Sequence, residues 1–365
     1  MTIISTPQSK EGVIRDRPLV SVILAVRNEE RYIEDVLKSL LLQETTSFDL
    51  EIIILDGESS DATRAIVGRI ASDDTRVTLV VNQQRKTPYA FNMGIQRAKG
   101  EYVCIFGAHT AYPANYIGTC LEELKRHGAV GCSGTVITRP GGKGMESRLI
   151  AWTLSHPFGT SSQSMRTRGA GFSDIVPYAI FLKSALLEVG CYDTHLHRNQ
   201  DLDLNQKLRA RGHKLYVTDK TSCQYFVSSS LSSLAGYAFR NGYWNIISMR
   251  KNPGSMAVRH FVPGAFVMAL FLSVIAWMLS FGASGDARMW LRSPLLLLGV
   301  LYGIGSVAAA GQISLHEKSA EPLLLPLVFL LLHVSYGGGT LSALATNASV
   351  PSADGAPRLR RAEPS

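Results

Sequence analysis

The sequence predicts an α/β domain built on a doubly wound, mostly parallel sheet, followed by about three C-terminal helices of membrane-crossing length. Three observations predict it. Apolar strand-like runs alternate with amphipathic helical stripes from residue 19 to residue 137. The first two runs are apolar throughout, as strands covered on both faces are. Three later runs, 261–281, 293–312 and 322–346, contain no Asp, Glu, Lys or Arg. Each reaches the roughly 20 helical residues that a hydrocarbon core about 30 Å thick requires.

Strand one is expected at Leu19–Val26. The helix after it carries Ile33, Val36, Leu37, Leu40 and Leu41, an i, i+3, i+4, i+7, i+8 stripe. Asn28 is its expected N-cap, and Glu29 and Glu30 complement the dipole of its first turn. Strand two, Leu50–Leu55, ends on Asp56. Ser60 or Asp61 is expected to cap the next helix, which turns Ala65, Ile66 and Ile70 inward. Strand three is Val77–Val81, and Pro88 suits the first turn of a helix striped with Phe91, Gly94, Ile95 and Ala98. Strand four is Tyr102–Phe106; Pro113 is expected to open a helix bearing Ile117, Cys120, Leu121 and Leu124, and Ala129–Ile137 reads as a further strand. Residues 138–175 are rich in Gly, Ser, Thr and Arg and read as a long lid or binding loop. Residues 176–227 return to mixed α/β content, and 231–252 mix aromatic with basic residues, as a segment at a membrane interface does. The expected organisation is a polar extension over 1–17, a domain over 18–230, an interfacial segment over 231–260, a membrane region over 261–348 and a flexible tail over 349–365.

The chain has 365 residues, a net charge of +8 and 46% hydrophobic residues. Arg240, Arg250, Lys251 and Arg259 lie just before the first apolar run, where basic residues favour anionic lipid or diphosphate. No basic block or nucleic-acid motif is present, so nucleic acid is not an expected partner. The five cysteines show no CxxC pair or zinc spacing and fit a reducing cytosol. The first 18 residues lack the apolar core of a signal peptide, which predicts a cytoplasmic front domain. Three spans would then put Arg358, Arg360 and Arg361 outside, against the positive-inside tendency. A run that dips in and returns, or a tail too weak to set orientation, would remove that conflict.

Neither GxGxxG nor a P-loop occupies the first two strand ends. Asp56 instead stands where an open α/β sheet forms its ligand crevice, and a carboxylate there suits hydrogen bonding to a nucleotide's ribose or base. Further on, "RNQDLDLNQKL" (198–208) offers two acids. At about 100° per residue, Asp201 shares a face with Leu204 and Leu208, whereas Asp203 falls near Lys207. Asp203 therefore reads as a solvent-side i, i+4 partner. Asp201 reads as the inward carboxylate, suited to general-base work.

Ala25-Val-Arg-Asn-Glu29 followed by Asp56-Gly-Glu-Ser-Ser-Asp61 resembles the opening of family 2 glycosyltransferases. The resemblance implies a GT-A fold with a nucleotide-sugar bound at these strand ends, near Ala25, Arg27, Glu29 and Asp56. Lys86 could touch the diphosphate or be a plain surface lysine. After strand four the family has Asp-X-Asp or Asp-X-His, whose last residue holds a divalent cation. Here the positions are Gly107 and His109, so the resemblance implies His109 as metal ligand with one ligand fewer. Imidazole favours Mn²⁺ over Mg²⁺. Arg198-Asn-Gln-Asp201 resembles the subfamily that builds succinoglycan-type exopolysaccharides, with Gln200-Asp201 at the family's Glu-Asp pair and Asp201 as base. Arg240-Asn-Gly-Tyr243-Trp244 resembles the Gln-X-X-Arg-Trp element over the acceptor, although two of its three defining positions differ; an interfacial belt is the alternative reading. His333-Val-Ser-Tyr336, with Gly337–Gly339, lies inside the third run, where intramembrane polar groups are often functional; a neutral histidine bonded to a neighbouring helix is the favoured reading.

Together the residues and the resemblance imply an inverting glycosyltransferase of the cytoplasmic (inner) membrane, multi-pass with its catalytic domain inside. It would move a hexose, glucose from UDP-glucose in the first instance, to a polyprenyl-diphosphate-linked saccharide in exopolysaccharide synthesis, in company with assembly proteins. Polyprenyl-phosphate sugar transfer and a non-catalytic sugar-nucleotide-binding subunit are the alternatives.

Overall fold

The computed structural model describes residues 17–196 and 198–346. The N-terminal extension up to residue 16 and the tail with Arg358, Arg360 and Arg361 lie outside the described residues. In chain order the elements are β1 (Leu19–Val26), α1 (Ile33–Leu41), β2 (Asp49–Asp56), α2 (Thr63–Asp73), β3 (Val77–Val81), α3 (Thr87–Arg97), β4 (Tyr102–Phe106), β5 (Thr110–Ala111) and α4 (Tyr116–Arg126). Then follow β6 (Gly131–Arg139), α5 (Met145–Ser155), α6 (Pro157–Thr160), β7 (Gly171–Phe172), β8 (Ile180–Leu182), α7 (Lys183–Glu188), α8 (Gln200–Ala210) and β9 (Leu215–Phe226). The C-terminal helices are α9 (Leu231–Lys251), α10 (Val262–Leu279), α11 (Gly285–Glu317) and α12 (Leu325–Ala345).

One sheet runs β3-β2-β1-β4-β8-β6-β9-β5, with β7 also on β9. The long ladders β1–β2, β1–β4, β2–β3 and β6–β9 are parallel, and only short antiparallel pairs interrupt them. Alternation along β1 explains the two-sided core, because successive strand side chains point to opposite faces. Val20, Val22 and Leu24 pack with Ile33, Leu37 and Ile117 on one side. Ile23 packs with Ile53, Phe91, Ile95 and Leu208 on the other. Register sets Val26 opposite Asp56 and Leu24 opposite Phe106, so β1, β2 and β4 end along one edge. All five cysteines are buried and unpaired.

Four local expectations change. Asn28 does not cap α1; it takes φ 58° and its Oδ1 accepts from Ser60 N at 2.9 Å, tying two loops together. The helix starts later, at Ile33, with no side-chain cap. Neither Ser60 nor Asp61 is the N-cap of α2, because Asp61 accepts from Thr63 N one position early, at 3.0 Å. Pro113 ends in a turn before α4 rather than inside it. Residues 138–175 are not one loop: α5 buries Leu149, Ile150, Ala151 and Leu154 against α9, α11 and α12. The face that makes α5 a helix finds its partner far along the chain, which local composition does not reveal.

α9 lies between the domain and α12. Asn241 and Asn245 bond Arg198 and Asn199 on the domain side, while Leu234 and Ala238 pack with Val328 and Leu332 of α12. Small residues let the two helices close: a Cβ on Gly242 would fall inside van der Waals distance of Tyr336 O. Gly242→Ala is therefore expected to separate α9 from α12. It should lower Tm in detergent by the several degrees that an overpacking cost of about 1–3 kcal/mol implies, as differential scanning fluorimetry can check.

Candidate active site

The loops after β1 and β2 are stitched into one unit. Asn28 N donates to Ser59 Oγ (2.9 Å), Glu29 N to Thr63 Oγ1 (2.7 Å), Glu30 N to Asp61 Oδ2 (3.2 Å), and Ala62 N back to Glu30 Oε2 (3.0 Å). Asp56 anchors this unit. It is fully buried, accepts from Ser59 N (3.1 Å) and Ser59 Oγ (2.5 Å), and lies 3.6 Å from Arg64 Nε. Ser59 and Arg64 thus occupy the Asp56 carboxylate. Ala25 is half-buried beneath these loops, and Arg27 is exposed on the rim, against Gly57. Lys86 precedes α3, and Asn82 holds it close: Asn82 N donates to Asp56 O (2.7 Å) and Asn82 Nδ2 to Lys86 O (3.1 Å).

His109 meets Glu29, Nε2 to Oε2 at 3.2 Å, and its ring stands edge-on to Tyr32 at 4.6 Å. Gly107 N donates to the Tyr112 hydroxyl at 3.0 Å. A Cβ at Gly107 would come 3.1 Å from Tyr178 Cε1, so Tyr178 fills the room a carboxylate would need there. Among the described residues no group of three or more His, Cys, Asp and Glu could hold a metal ion.

Asp201 opens into a cavity of about 110 Å³ with Gly107, Met165, Tyr178, Tyr192 and Asn205. The cavity leaves its carboxylate accessible, but the surrounding protein desolvates it. Desolvation raises its pKa above the usual aspartate range, and a hydrogen bond from Tyr192 offsets only part of this. Burial and the neighbouring Asp201 push the Tyr192 phenol well up in turn. The helical wheel puts Asp201 on the buried face; the structure leaves the residue exposed while it lines this cavity, and seats Asp203 with Leu204 and Leu208 instead. Asp203 is corrected: it pairs with Lys207 at 2.8 Å as expected, but it is buried, because Asn252 after α9 closes over it at 3.2 Å.

Sequence reasoning missed the cluster beside this cavity. Arg166 stacks over Tyr225 at 4.6 Å and donates to Thr138 Oγ1 at 3.4 Å. Arg198 stacks over Tyr237 at 5.0 Å, and its Nε donates to Asn241 Oδ1 at 2.6 Å. Neither forms an ion pair with a carboxylate among the described residues. Burial lowers the Arg198 pKa and the like charge of Arg240 adds to it, while Tyr237 and Tyr225 oppose the shift without cancelling it. For Tyr237, burial resists ionisation, but Arg166, Asn241 and Arg198 outweigh it and lower the pKa. Arg240 belongs near this cluster; Tyr243 instead stacks with Phe239 toward α12, and Trp244 lies one turn beyond Asn241 on α9. The available signal was the paired arginine in "SMRTRG", a loop segment that carries no acid of its own. A larger cavity, about 530 Å³, adjoins Thr138 between α5 and the end of α11 and is lined by Arg139, Trp152, His156, Gln312 and His316.

Residues 21–190 match the family model described as Glycosyl transferase family 2. The chain is 27% identical to a dolichyl N-acetyl-α-D-glucosaminyl phosphate 3-β-D-2,3-diacetamido-2,3-dideoxy-β-D-glucuronosyltransferase of Methanococcus voltae, over 87% of this chain and 95% of that protein. It is 26% identical to the succinoglycan biosynthesis protein ExoA of Rhizobium meliloti, over 81% of this chain and 91% of that protein. Among solved structures, the mannosyltransferase PcManGT of Pyrobaculum calidifontis, in complex with GDP-mannose and Mn²⁺, superposes with a TM-score of 0.57 at 17% identity, covering 91% of this chain and 88% of that one. With the strand-end site described above, these matches make the chain a glycosyltransferase that carries a family 2 domain on a GT-A fold.

Proposed function

We propose that this enzyme, seated at the cytoplasmic membrane with its catalytic domain inside, transfers a hexose from a UDP-sugar, glucose first among them, to a polyprenyl-diphosphate-linked saccharide. Inversion of the anomeric centre accompanies transfer. The observation that carries the reading is Asp201 and the Gly107 strand end sharing one cavity, with the Arg166 loop as its wall. The acceptor hydroxyl gives its proton to Asp201 as its oxygen attacks the anomeric carbon. The bond from that carbon to the diphosphate breaks, and UDP leaves with the electron pair. One base suffices, and no covalent enzyme intermediate is needed.

Ala25, Arg27, Glu29, Asp56 and Lys86 are assigned to the donor nucleotide and its diphosphate. Arg166, Arg198, Arg240 and Tyr237 are assigned to the acceptor's diphosphate, with Trp244 beside them. The guanidinium groups of Arg166 and Arg198, desolvated, stacked on aromatic rings and without a carboxylate partner among the described residues, suit a phosphate oxyanion. The larger cavity next to Thr138, with Trp152 as an aromatic platform and Gln312 as a hydrogen-bonding side chain, suits the acceptor saccharide. The names of the two relatives, one acting on a dolichyl phosphate-linked sugar and one in succinoglycan synthesis, support this acceptor class.

The His109 and Glu29 pair fits a divalent cation only when diphosphate oxygens and water complete its shell, and the imidazole favours Mn²⁺ over Mg²⁺. When bound, the cation would neutralise charge on the departing diphosphate. His109→Ala is expected to raise the donor KM about tenfold and to remove most of the stimulation by Mn²⁺, as initial rates with and without added cation can show. The test of the whole reading is radiolabelled UDP-glucose with membranes and lipid extract from the native host. Label is expected in a lipid product from which mild acid releases the sugar chain. Hydrolysis to free sugar alone, across a panel of UDP-hexoses, would refute it.

A further inference from the structure

Three helices are long and apolar enough to cross a membrane, yet α12 is laid along the catalytic domain. In the turn just before it Glu321 pairs with Arg148 of α5 through two bonds, 2.6 and 2.8 Å, and at its first residue Leu325 is buried with Leu149, Ile150 and Leu154. At its last turn Ala343 O accepts from Arg250 Nη1 at 3.4 Å. Two residues beyond Arg250, Asn252 bonds Asp203 and Gln206 of α8, at 3.2 and 2.8 Å. In between, Asn199 donates to Asn245 Oδ1 at 2.7 Å, and Asn245 donates to the Tyr336 hydroxyl. Beyond its first turn only α9 separates α12 from the domain.

A helix of 21 residues is about 31 Å long, the thickness of the hydrocarbon core. A crossing helix therefore carries one end that far from any domain folded in water. Both ends of α12 stay beside such a domain, and the layer between them carries asparagines that hydrocarbon does not solvate. We infer that α12 does not cross the bilayer. With α9 it lies against the domain at the headgroup–acyl boundary, turning Leu327 and Leu330 to lipid.

The α10–α11 hairpin is the inserted part. Phe271, Leu272 and Met278 on α10 and Leu297, Leu301 and Ile304 on α11 are exposed. Among described α10 residues only Gly264 and Ser273 are buried. A hairpin that enters also returns, so the chain beyond α12 comes back to the side of the catalytic domain. Arg358, Arg360 and Arg361 then share a side with Arg250 and Lys251, and the charge conflict of three spans disappears.

The inference rests on the membrane reading above and is tested apart from it. Single cysteines are introduced in the full chain as Ser72→Cys on α2, Ser352→Cys beyond α12, and Thr346→Cys as a second position there. The five native thiols are buried and add little background. A membrane-impermeant maleimide is applied to vesicles of each orientation. Positions 352 and 346 are expected to react from the same face as position 72. Reaction only from the opposite face, in protein that alkaline carbonate leaves in the membrane, would overturn the inference and leave the catalytic reading standing. Release of the protein by carbonate would refute the membrane reading and the inference with it.

Discussion

Asp201→Asn is expected to lower kcat for sugar transfer by about 10²–10⁴-fold, the range a positioned general base supplies. The donor KM should stay near that of the parent enzyme, because Asp201 faces the cavity with Gly107 and Tyr192 rather than the nucleotide loops. The amide keeps the size of the carboxylate but takes no proton. In the parent enzyme the active form is ionised, and desolvation raises the pKa of Asp201. Activity should therefore fall with decreasing pH sooner than an ordinary aspartate would require, and the variant should lose that limb. Stability should move the other way. A carboxyl whose folded pKa exceeds its unfolded value stabilises the fold at low pH, and that stability is lost as pH rises toward the folded value. Removing the charge should thus raise Tm at neutral pH. Initial rates and thermal melts on one preparation check both. Near-parental turnover in this variant would instead favour a lipid phosphate as nucleophile, which needs no base.

The strand ends, and with them half the site, were legible because each depends on local pattern. β1, β3 and β4 fall on the residues read from apolar runs, and Asp56, Gly107 and His109 follow from where those runs stop. The acidic string singles out Asp201, but periodicity misreads the faces: Leu204 and Leu208 are buried together with Asp203, and Asp201 stays exposed along the cavity. Where a second segment decides the outcome, the reading failed. Asp203 is buried by Asn252, 49 residues away. α5 becomes a helix against α9, α11 and α12. Asn28 serves the loop after β2 rather than its own helix. The arginine cluster has the same origin: Arg166, Arg198 and Tyr237 come from three elements, and no periodicity links a loop arginine to a tyrosine one domain layer away.

That cluster carries the second large expectation. Arg166→Gln and Arg198→Gln are each expected to raise the KM for a diphosphate-linked acceptor about 10–100-fold, since a hydrogen bond to a charged group contributes about 1.5–3 kcal/mol and 1.4 kcal/mol is tenfold. kcat at saturating acceptor should change less, because neither guanidinium lines the cavity that holds Asp201. Arg166→Lys should not restore binding: it keeps the charge but loses the planar stack on Tyr225 at 4.6 Å. The two changes should be less than additive, because both arginines surround Tyr237 and would share one anion. A soluble saccharide without phosphate separates this role from a structural one. If the arginines hold the diphosphate, parent and variants should use that saccharide with similar KM. If they merely support the loop, both acceptors should suffer alike, and the assignment of the cluster to the lipid diphosphate falls.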